Sequence, residues 1–271
     1  MTKVAIISGS GRLPLLIGEN LIKKKYDVFF ICLKNNANSS DYKKYKYCLS
    51  SITSFTQILN ILKKQKISSI IMAGSINRPS VKDIKFDLNT LKLIKNYYLE
   101  SKGDDQLLKT ISNFFLKKGY PLFDWQNQCI ELFSSKECLT KNFPKKKSIL
   151  NKDKGLEVFS KIGKADIGQS IIVQNQIILG IECTEGTNDL IKRCYDYKKK
   201  GDNGILIKLS KYNQHSNLDL PTIGMETIKN LKKYKYDGIF FEKNKCIILD
   251  KNKMIDYCNH NDLFLASVEK N

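Results

Sequence analysis

Arginine is almost missing from this chain of 271 residues: Arg12, Arg78 and Arg193 are the three it has, and every other basic residue is a lysine. The scarcity matters because the formal net charge is +19. Proteins that read nucleic acid rely on arginine forks and aromatic stacking platforms, and the lysine clusters at 23–25, 145–147 and 198–200 contain neither. Lysine, asparagine and isoleucine are abundant together, as AT-rich coding bias produces, and dispersed lysines usually sit on solvated surface. Nucleic acid is therefore not an expected partner, whereas a weak attraction to an anionic membrane surface is. Histidine is scarce too, with only His215 and His260, and the eight cysteines are scattered without a CxxC pair. That excludes zinc-ligand spacing and a disulfide framework, and leaves ordinary buried thiols. No apolar run approaches the roughly 20 residues that cross a bilayer. The N-terminal run breaks at Ser8 and Gly9, too early for a secretory segment. A cytoplasmic, soluble protein is expected.

What is present is a hydrophobic share of 42%, enough at this length for a proper core divided between two modest domains. The N-terminal part alternates strand and helix signals: "KVAIIS", "DVFFICL" and "SSIIMAG" read as strands, "LPLLIGENLIKKK", "SFTQILNILKKQK", "DLNTLKLIKNYYL" and "DDQLLKTISNFFLKK" as helices. This alternation predicts a parallel sheet with helices on both faces. Periodicity lapses into lysine and polar residues around 141–153, which predicts a boundary between a domain of residues 1–145 and one of residues 146–271. The second half predicts a mixed α/β arrangement: a helix "GLEVFSKI", a hairpin from "QSIIVQ" and "QIILGIEC" turning at Asn175, and a helix after Asn188. The strand "GILIKLS", a helix "METIKNLKKY" and a second hairpin in "GIFFEKNKCIILD" follow.

Several stretches carry residues suited to chemistry. "SGSGRLP" follows the first strand and opens the first helix, where glycines let backbone amides approach a phosphate at the helix N-terminus; a plain tight turn uses such glycines as well. The full dinucleotide fingerprint fails, since Pro14 takes the third glycine position and the second strand ends in Leu33 and Lys34 instead of an acid. A redox cofactor is not expected. "AGSINRP" sets Arg78 at the end of the third strand, where a guanidinium can clamp a diphosphate. "SKGDDQLLK" offers Asp104 and Asp105, for which helix capping is an adequate alternative. In the second half, "ADIGQSIIV" puts Asp166 and Gln169 at the entrance of one strand. "ECTEGTND" puts Glu182, Glu185 and Thr187 at the exit of its hairpin partner. "KLSKYNQHSNLDLPTIG" holds Lys208, Lys211, Gln214 and Asp219 in a loop before a helix start signalled by Pro221 and Thr222. If the hairpin pairs as expected, these loops converge, although each has a local explanation: Gly186 as a turn, Thr222 as an N-cap, Asp219 as a turn former.

Taken together and in this order, "GSGRLP", "MAGSINRP", "GDDQLL", "ADIGQSIIV", "IECTEGTND" and "DLPTIG" resemble the LpxI family, the UDP-2,3-diacylglucosamine pyrophosphatases of lipid A synthesis, over nearly the whole chain. The resemblance implies a Rossmann-like N-terminal domain, a distinct C-terminal domain with the substrate between them, and a homodimer on the cytoplasmic face of the inner membrane with peripheral contact to it. It also implies hydrolysis of the substrate's diphosphate by water at the α-phosphorus, giving UMP and 2,3-diacylglucosamine 1-phosphate, with magnesium or another divalent cation such as manganese. A diphosphate repels an attacking water unless its charge is neutralised and a carboxylate holds the metal or takes the proton. Asp219 is accordingly expected as metal ligand or general base, and Glu185 as the second catalytic and metal-binding carboxylate. Thr187, Gln169 and Lys211 are expected to contact the diphosphate. Asp166, Lys208, Gln214 and Thr222 complete that wall, and Gly9, Ser10, Gly11, Arg12, Arg78, Asp104 and Asp105 form the facing one. The chain departs from the family's usual pattern, approximately KPxQDxRxDLP, with Tyr212, His215 and Asn217, and has Asn188 in place of an aspartate. The changed loop makes a non-catalytic UDP-sugar or lipid-binding protein the alternative reading.

Overall fold

The computed structural model describes residues 2–76, 104–162, 167–211 and 220–270, with side chains in the second stretch from Leu108 onward. Its contacts divide into two compact units, Met1–Cys129 and Ile130–Asn271.

In the first unit the elements run β1 (Lys3–Ser8), α1 (Leu13–Lys23), β2 (Asp27–Leu33), β3 (Tyr47–Ser50), α2 (Phe55–Lys64), β4 (Ser69–Ala73) and α3 (Asp104–Lys117). The strands form one sheet in the order β3-β2-β1-β4, every neighbouring pair parallel. β1 and β2 are continuous apolar runs because a parallel sheet is covered on both faces. Ala5, Ile7, Phe29 and Ile31 face a core with Phe55, Ile58 and Leu62 of α2 and Phe115 of α3. The opposite face takes α1 at close range: a Cβ on Gly18 would sit 2.2 Å from the Phe30 ring and 3.3 Å from Ile6. The expected alternation is present in the described residues, the helix expected over "DLNTLKLIKNYYL" lying outside them; β3, "YCLS", is a strand the periodicity did not announce, four residues long and half-exposed at the sheet edge.

The second unit contains α4 (Lys146–Ile162), β5 (Ser170–Gln174), β6 (Ile177–Ile181), α5 (Thr187–Tyr195), β7 (Ile205–Lys208), β8 (Thr222–Ile223), α6 (Met225–Lys233), β9 (Gly238–Glu242), β10 (Ile247–Ile248), α7 (Lys251–His260) and β11 (Phe264–Val268). Its main sheet has the order β11-β9-β7-β5-β6. β11, β9 and β7 are parallel, and β5 runs antiparallel to both β7 and β6. Strand residues alternate between two cores. Ile172, Leu206, Ile239, Phe241 and Leu265 pack with α5, α6 and α7, while Ile171, Val173, Ile207 and Phe240 pack with Phe159 of α4. The predicted β5–β6 hairpin is present, turning at Asn175 and Gln176 with φ of 50° and 61°.

Three expectations are corrected. Residues 141–153 are not a boundary: the units divide at Cys129–Ile130, and that polar stretch leads into α4, which turns Ser148, Asn151 and Gly155 toward the interior. Small and polar residues on the buried face hid the helix's period. "GIFFEKNKCIILD" is not a hairpin, because β9 is already flanked by β7 and β11, and β10 pairs in parallel with β8 instead. Thr222 is not a helix cap; it lies in β8, and α6 starts at Met225 after Gly224.

Truncating Phe241, fully buried in the second unit, is expected to cost about 3–5 kcal/mol through transfer and cavity terms. In denaturant titrations, Phe241→Ala should shift the transition of the second unit and leave that of residues 1–129 in place.

Candidate active site

In the second unit, β7 and β9 end at Lys208 and Glu242, and because β5 is antiparallel to them, its first residue Ser170 lies beside Lys208 in register. β6 returns to the same edge at Ile181. Three loops therefore meet at the carboxyl edge of the sheet, where open α/β sheets bind ligands. Glu182 N–H donates to Ser170 O at 2.8 Å, and Leu209 N–H donates to Gln169 O at 2.8 Å. The 167–169 loop presses so closely that a Cβ on Gly168 would fall 2.1 Å from Glu182 O. The convergence expected from the sequence is thus present for the loops at 169, 182–187 and 208–211.

At their meeting point is a buried polar knot. Thr187 Oγ1 donates to Glu182 Oε1 at 2.9 Å, and Lys208 Nζ donates to Thr187 Oγ1 at 2.5 Å and to Ser170 Oγ at 3.3 Å. Lys208 is only 6% exposed and Glu182 only 9%, so each charge depends on the other for compensation. Their closest approach is 3.9 Å, between Nζ and Glu182 Oε2. Among the described residues that buried Oε2 has no hydrogen-bond donor. A buried carboxylate oxygen left without a donor is costly in a structural role.

Glu185 is placed differently. Arg193 Nη2 donates to its Oε1 at 2.6 Å, and Cys183 N–H donates to its Oε2 at 3.0 Å. The same guanidinium reaches Ile181 O at 3.2 Å, so Glu185 ties the loop to the side of α5. The Arg193 guanidinium holds the Glu185 carboxyl below the ordinary glutamate range. Asn188, where the family pattern has an aspartate, accepts from Thr227 Oγ1 at 3.2 Å and links α5 to α6. Gln169 and Lys211 are half-buried at the edge. The Thr222 hydroxyl donates to Leu220 O at 3.2 Å and so stays within its own turn. Asp166, Gln214, Asp219 and Arg78 lie outside the described residues, as do the side chains of Asp104 and Asp105, whose backbone opens α3.

The sequence reading passed over Glu242. It is buried, and it accepts from Ser210 N–H at 2.7 Å and Ser210 Oγ at 2.6 Å. Lys270 Nζ binds Ser210 O at 2.8 Å. The start of the loop that continues to Gln214 and Asp219 is therefore anchored from β9 and from the C-terminal segment. An acid closing the apolar run "GIFFE" was the available signal.

In the first unit, β1 lies between β2 and β4, so the loops after β1 and β4 flank a topological switch point. They are knitted together: Ser10 N–H donates to Ser75 O at 2.7 Å and Ser75 N–H to Ser10 O at 3.1 Å. Gly9 and Gly74 are required by this contact, since a Cβ on either would come within 2.6 Å of the opposing loop's carbonyl oxygen. Gly11 differs: its φ is +87° and a Cβ there would meet nothing within 4 Å. Among the described residues Gly11 therefore has space beside it, directly before Arg12 and α1.

The LpxI N-terminal domain matches residues 3–132 and the LpxI C-terminal domain matches residues 135–266. The chain belongs to the LpxI family. The UDP-2,3-diacylglucosamine pyrophosphatase LpxI of Caulobacter vibrioides is 27% identical over 276 residues, covering 99% of this chain and 98% of that protein. For an LpxI chain the donors available to a divalent cation matter. Among the described residues no three histidine, cysteine, aspartate or glutamate side chains converge. Glu185 has both oxygens engaged, and the bare oxygen of Glu182 faces an ammonium. Magnesium takes near-octahedral oxygen coordination, and the described donors alone do not supply it; the Glu185 oxygens are engaged by Arg193 and by Cys183 N–H.

Glu185→Gln should leave a stable fold weakened by roughly 1 kcal/mol, the scale of a partly exposed charged pair. Because the folded-state carboxyl is depressed, this contribution is complete above the ordinary glutamate value and is lost as pH falls through the depressed one. The unaltered protein and the variant should therefore converge in stability in acid, which melting curves across pH will show.

Proposed function

We propose that the chain hydrolyses the diphosphate of UDP-2,3-diacylglucosamine in lipid A synthesis, releasing UMP and 2,3-diacylglucosamine 1-phosphate. Family membership and the name of the Caulobacter relative support the reaction. The observation that carries the site is the buried Glu182–Thr187–Lys208–Ser170 knot with its bare carboxylate oxygen.

In this reading Glu182 replaces Glu185 as the second carboxylate, beside Asp219. A water's proton passes to Glu182 Oε2 while its oxygen bonds to the α-phosphorus. The bond from that phosphorus to the bridging oxygen breaks, and its electron pair leaves on the sugar 1-phosphate. Lys208 sets a positive charge beside the phosphoryl oxygens, where charge builds as the bond changes proceed. Thr187 and Ser170 hold the ammonium in place, and Glu242 holds the backbone that leads to Asp219. Gln169 and Lys211 contact the diphosphate. A homodimer is part of the same reading and is checked by sedimentation.

Purified protein given UDP-2,3-diacylglucosamine and magnesium should release UMP; no UMP above background removes the reading. Glu182→Gln should lower kcat on the order of 100-fold with KM little changed, as for loss of a general base. Asp219→Ala should cost on the order of 100-fold or more, whereas Glu185→Gln should cost less than about tenfold. Full turnover in Glu182→Gln would remove its assigned role and leave the reaction standing.

A further inference from the structure

The end of the second unit opposite the carboxyl edge gathers segments that are distant in sequence. β5 leaves the edge at Ser170 and reaches this end at Gln174. Lys199 N–H donates to Gln174 Oε1 at 2.9 Å, and Asn175 Nδ2 donates to Lys200 O at 3.2 Å. On the other side of the same turn, Gln176 N–H donates to Asn151 Oδ1 in α4 at 2.6 Å. The hairpin turn thus brings the two lysine clusters of this unit, 145–147 and 198–200, to one end. Lys145, Lys146, Lys147, Lys199 and Lys200 are exposed there, while Lys198 turns inward to bond Tyr234 O and Lys235 O. Of the nearby acids, Asp202 accepts from Asn175 and Gly204 N–H groups and Asp237 accepts from Asn203.

Large apolar side chains stand exposed among these lysines. Phe143 is 71% exposed, Ile177 61% and Tyr197 58%, and Ile149, Leu150 and Tyr195 are exposed beside them. Among the described residues these six are the majority of the large apolar side chains left in solvent. Helix electrostatics does not explain the first lysine cluster. It sits at the start of α4, whose first turn has no acid, and positive charge is unfavourable at a helix N-terminus.

The mixture selects a partner. Isoleucine and leucine offer nothing to stack on a base, so RNA would leave three of the six unused. A second copy meeting this face about a two-fold axis would set lysine cluster against lysine cluster. An anionic lipid surface suits both components: phosphate headgroups attract the lysines, and the apolar tips enter the boundary below them. We propose that this end of the second unit docks on an anionic lipid bilayer. The inference does not depend on the reaction proposed above. It places the candidate active site about one strand length, roughly 17 Å, away from the docked face, so the contact anchors the enzyme without burying its catalytic edge.

Flotation of the full-length protein with vesicles tests the idea. The protein should float with phosphatidylcholine vesicles containing phosphatidylglycerol and not with phosphatidylcholine alone. The triple variant Lys145→Gln, Lys146→Gln, Lys147→Gln should lower partitioning on the order of 100-fold. The double variant Phe143→Ser, Ile177→Ser should lower it on the order of tenfold, both with unchanged melting behaviour. Absence of flotation with the anionic vesicles overturns the proposal, as does equal flotation of the triple variant. A dimer that Phe143→Ser dissociates, in protein that ignores vesicles, would assign the face to a second copy and overturn it too.

Discussion

A lysine ammonium buried at a sheet edge has to be surrounded by acceptors, and in this chain that requirement organises the second unit. Lys208 ends β7, and its acceptors come from two other segments: Ser170 from the first position of β5 and Thr187 from the first turn of α5. Only an antiparallel β5 puts Ser170 beside Lys208, and only the β5–β6 hairpin returns the chain to the same edge so that Glu182 can complete the charge balance. The close approach at Gly168 follows from the same demand, since the three segments must pack within hydrogen-bond reach of one nitrogen. The requirement also makes the knot suited to chemistry. The ammonium and one carboxylate oxygen are held by hydroxyls on rigid elements, and the remaining carboxylate oxygen is buried without a donor among the described residues.

The strands were legible because most of them are simple apolar runs with a clear period. "KVAIIS", "DVFFICL" and "GILIKLS" could hardly be anything but buried strands. Elements whose inward face is polar or small were not. α4 hides Ser148, Asn151 and Gly155 against its sheet, so its first half read as linker. α7, which buries only Met254 and Cys258 among polar neighbours, and β11, which follows it, gave no signal that stood out. Pairing partners were less legible still. Two apolar runs separated by a short polar stretch look alike whether they pair with each other or with strands from elsewhere, and β9 and β10 do the latter.

The site was legible as a neighbourhood and not as a set of roles. In "ECTEGTND" the spacing of Glu182 and Glu185 says nothing about which carboxylate turns inward. The decision is made by Arg193, two turns along α5, which captures Glu185 on the outside and leaves Glu182 to the interior. The glycines of the first unit teach a similar lesson. Gly9 looked like a phosphate-loop residue and has a packing reason in the loop at Gly74 and Ser75. Gly11, from the same hexamer, has no such reason among the described residues; its φ of +87° is what calls for glycine there.

Strand direction also separates two kinds of charge in the second unit. α5 and α6 both run from the carboxyl edge to the opposite end, and their last turns carry Lys192 and Arg193, and Lys232 and Lys233, respectively. Cations there complement the helix dipoles, and some bond carbonyls directly: Lys232 reaches Asn261 O at 2.9 Å. A basic far end is thus partly a by-product of topology. The same topology starts α4 at that end, where lysines 145–147 oppose the dipole instead of completing it. For those three the helix dipole supplies no reason, and they stand near apolar side chains that folding leaves uncovered. When two costs to the isolated fold occupy one patch, a partner that offsets both at once is a more economical cause than two unrelated accidents.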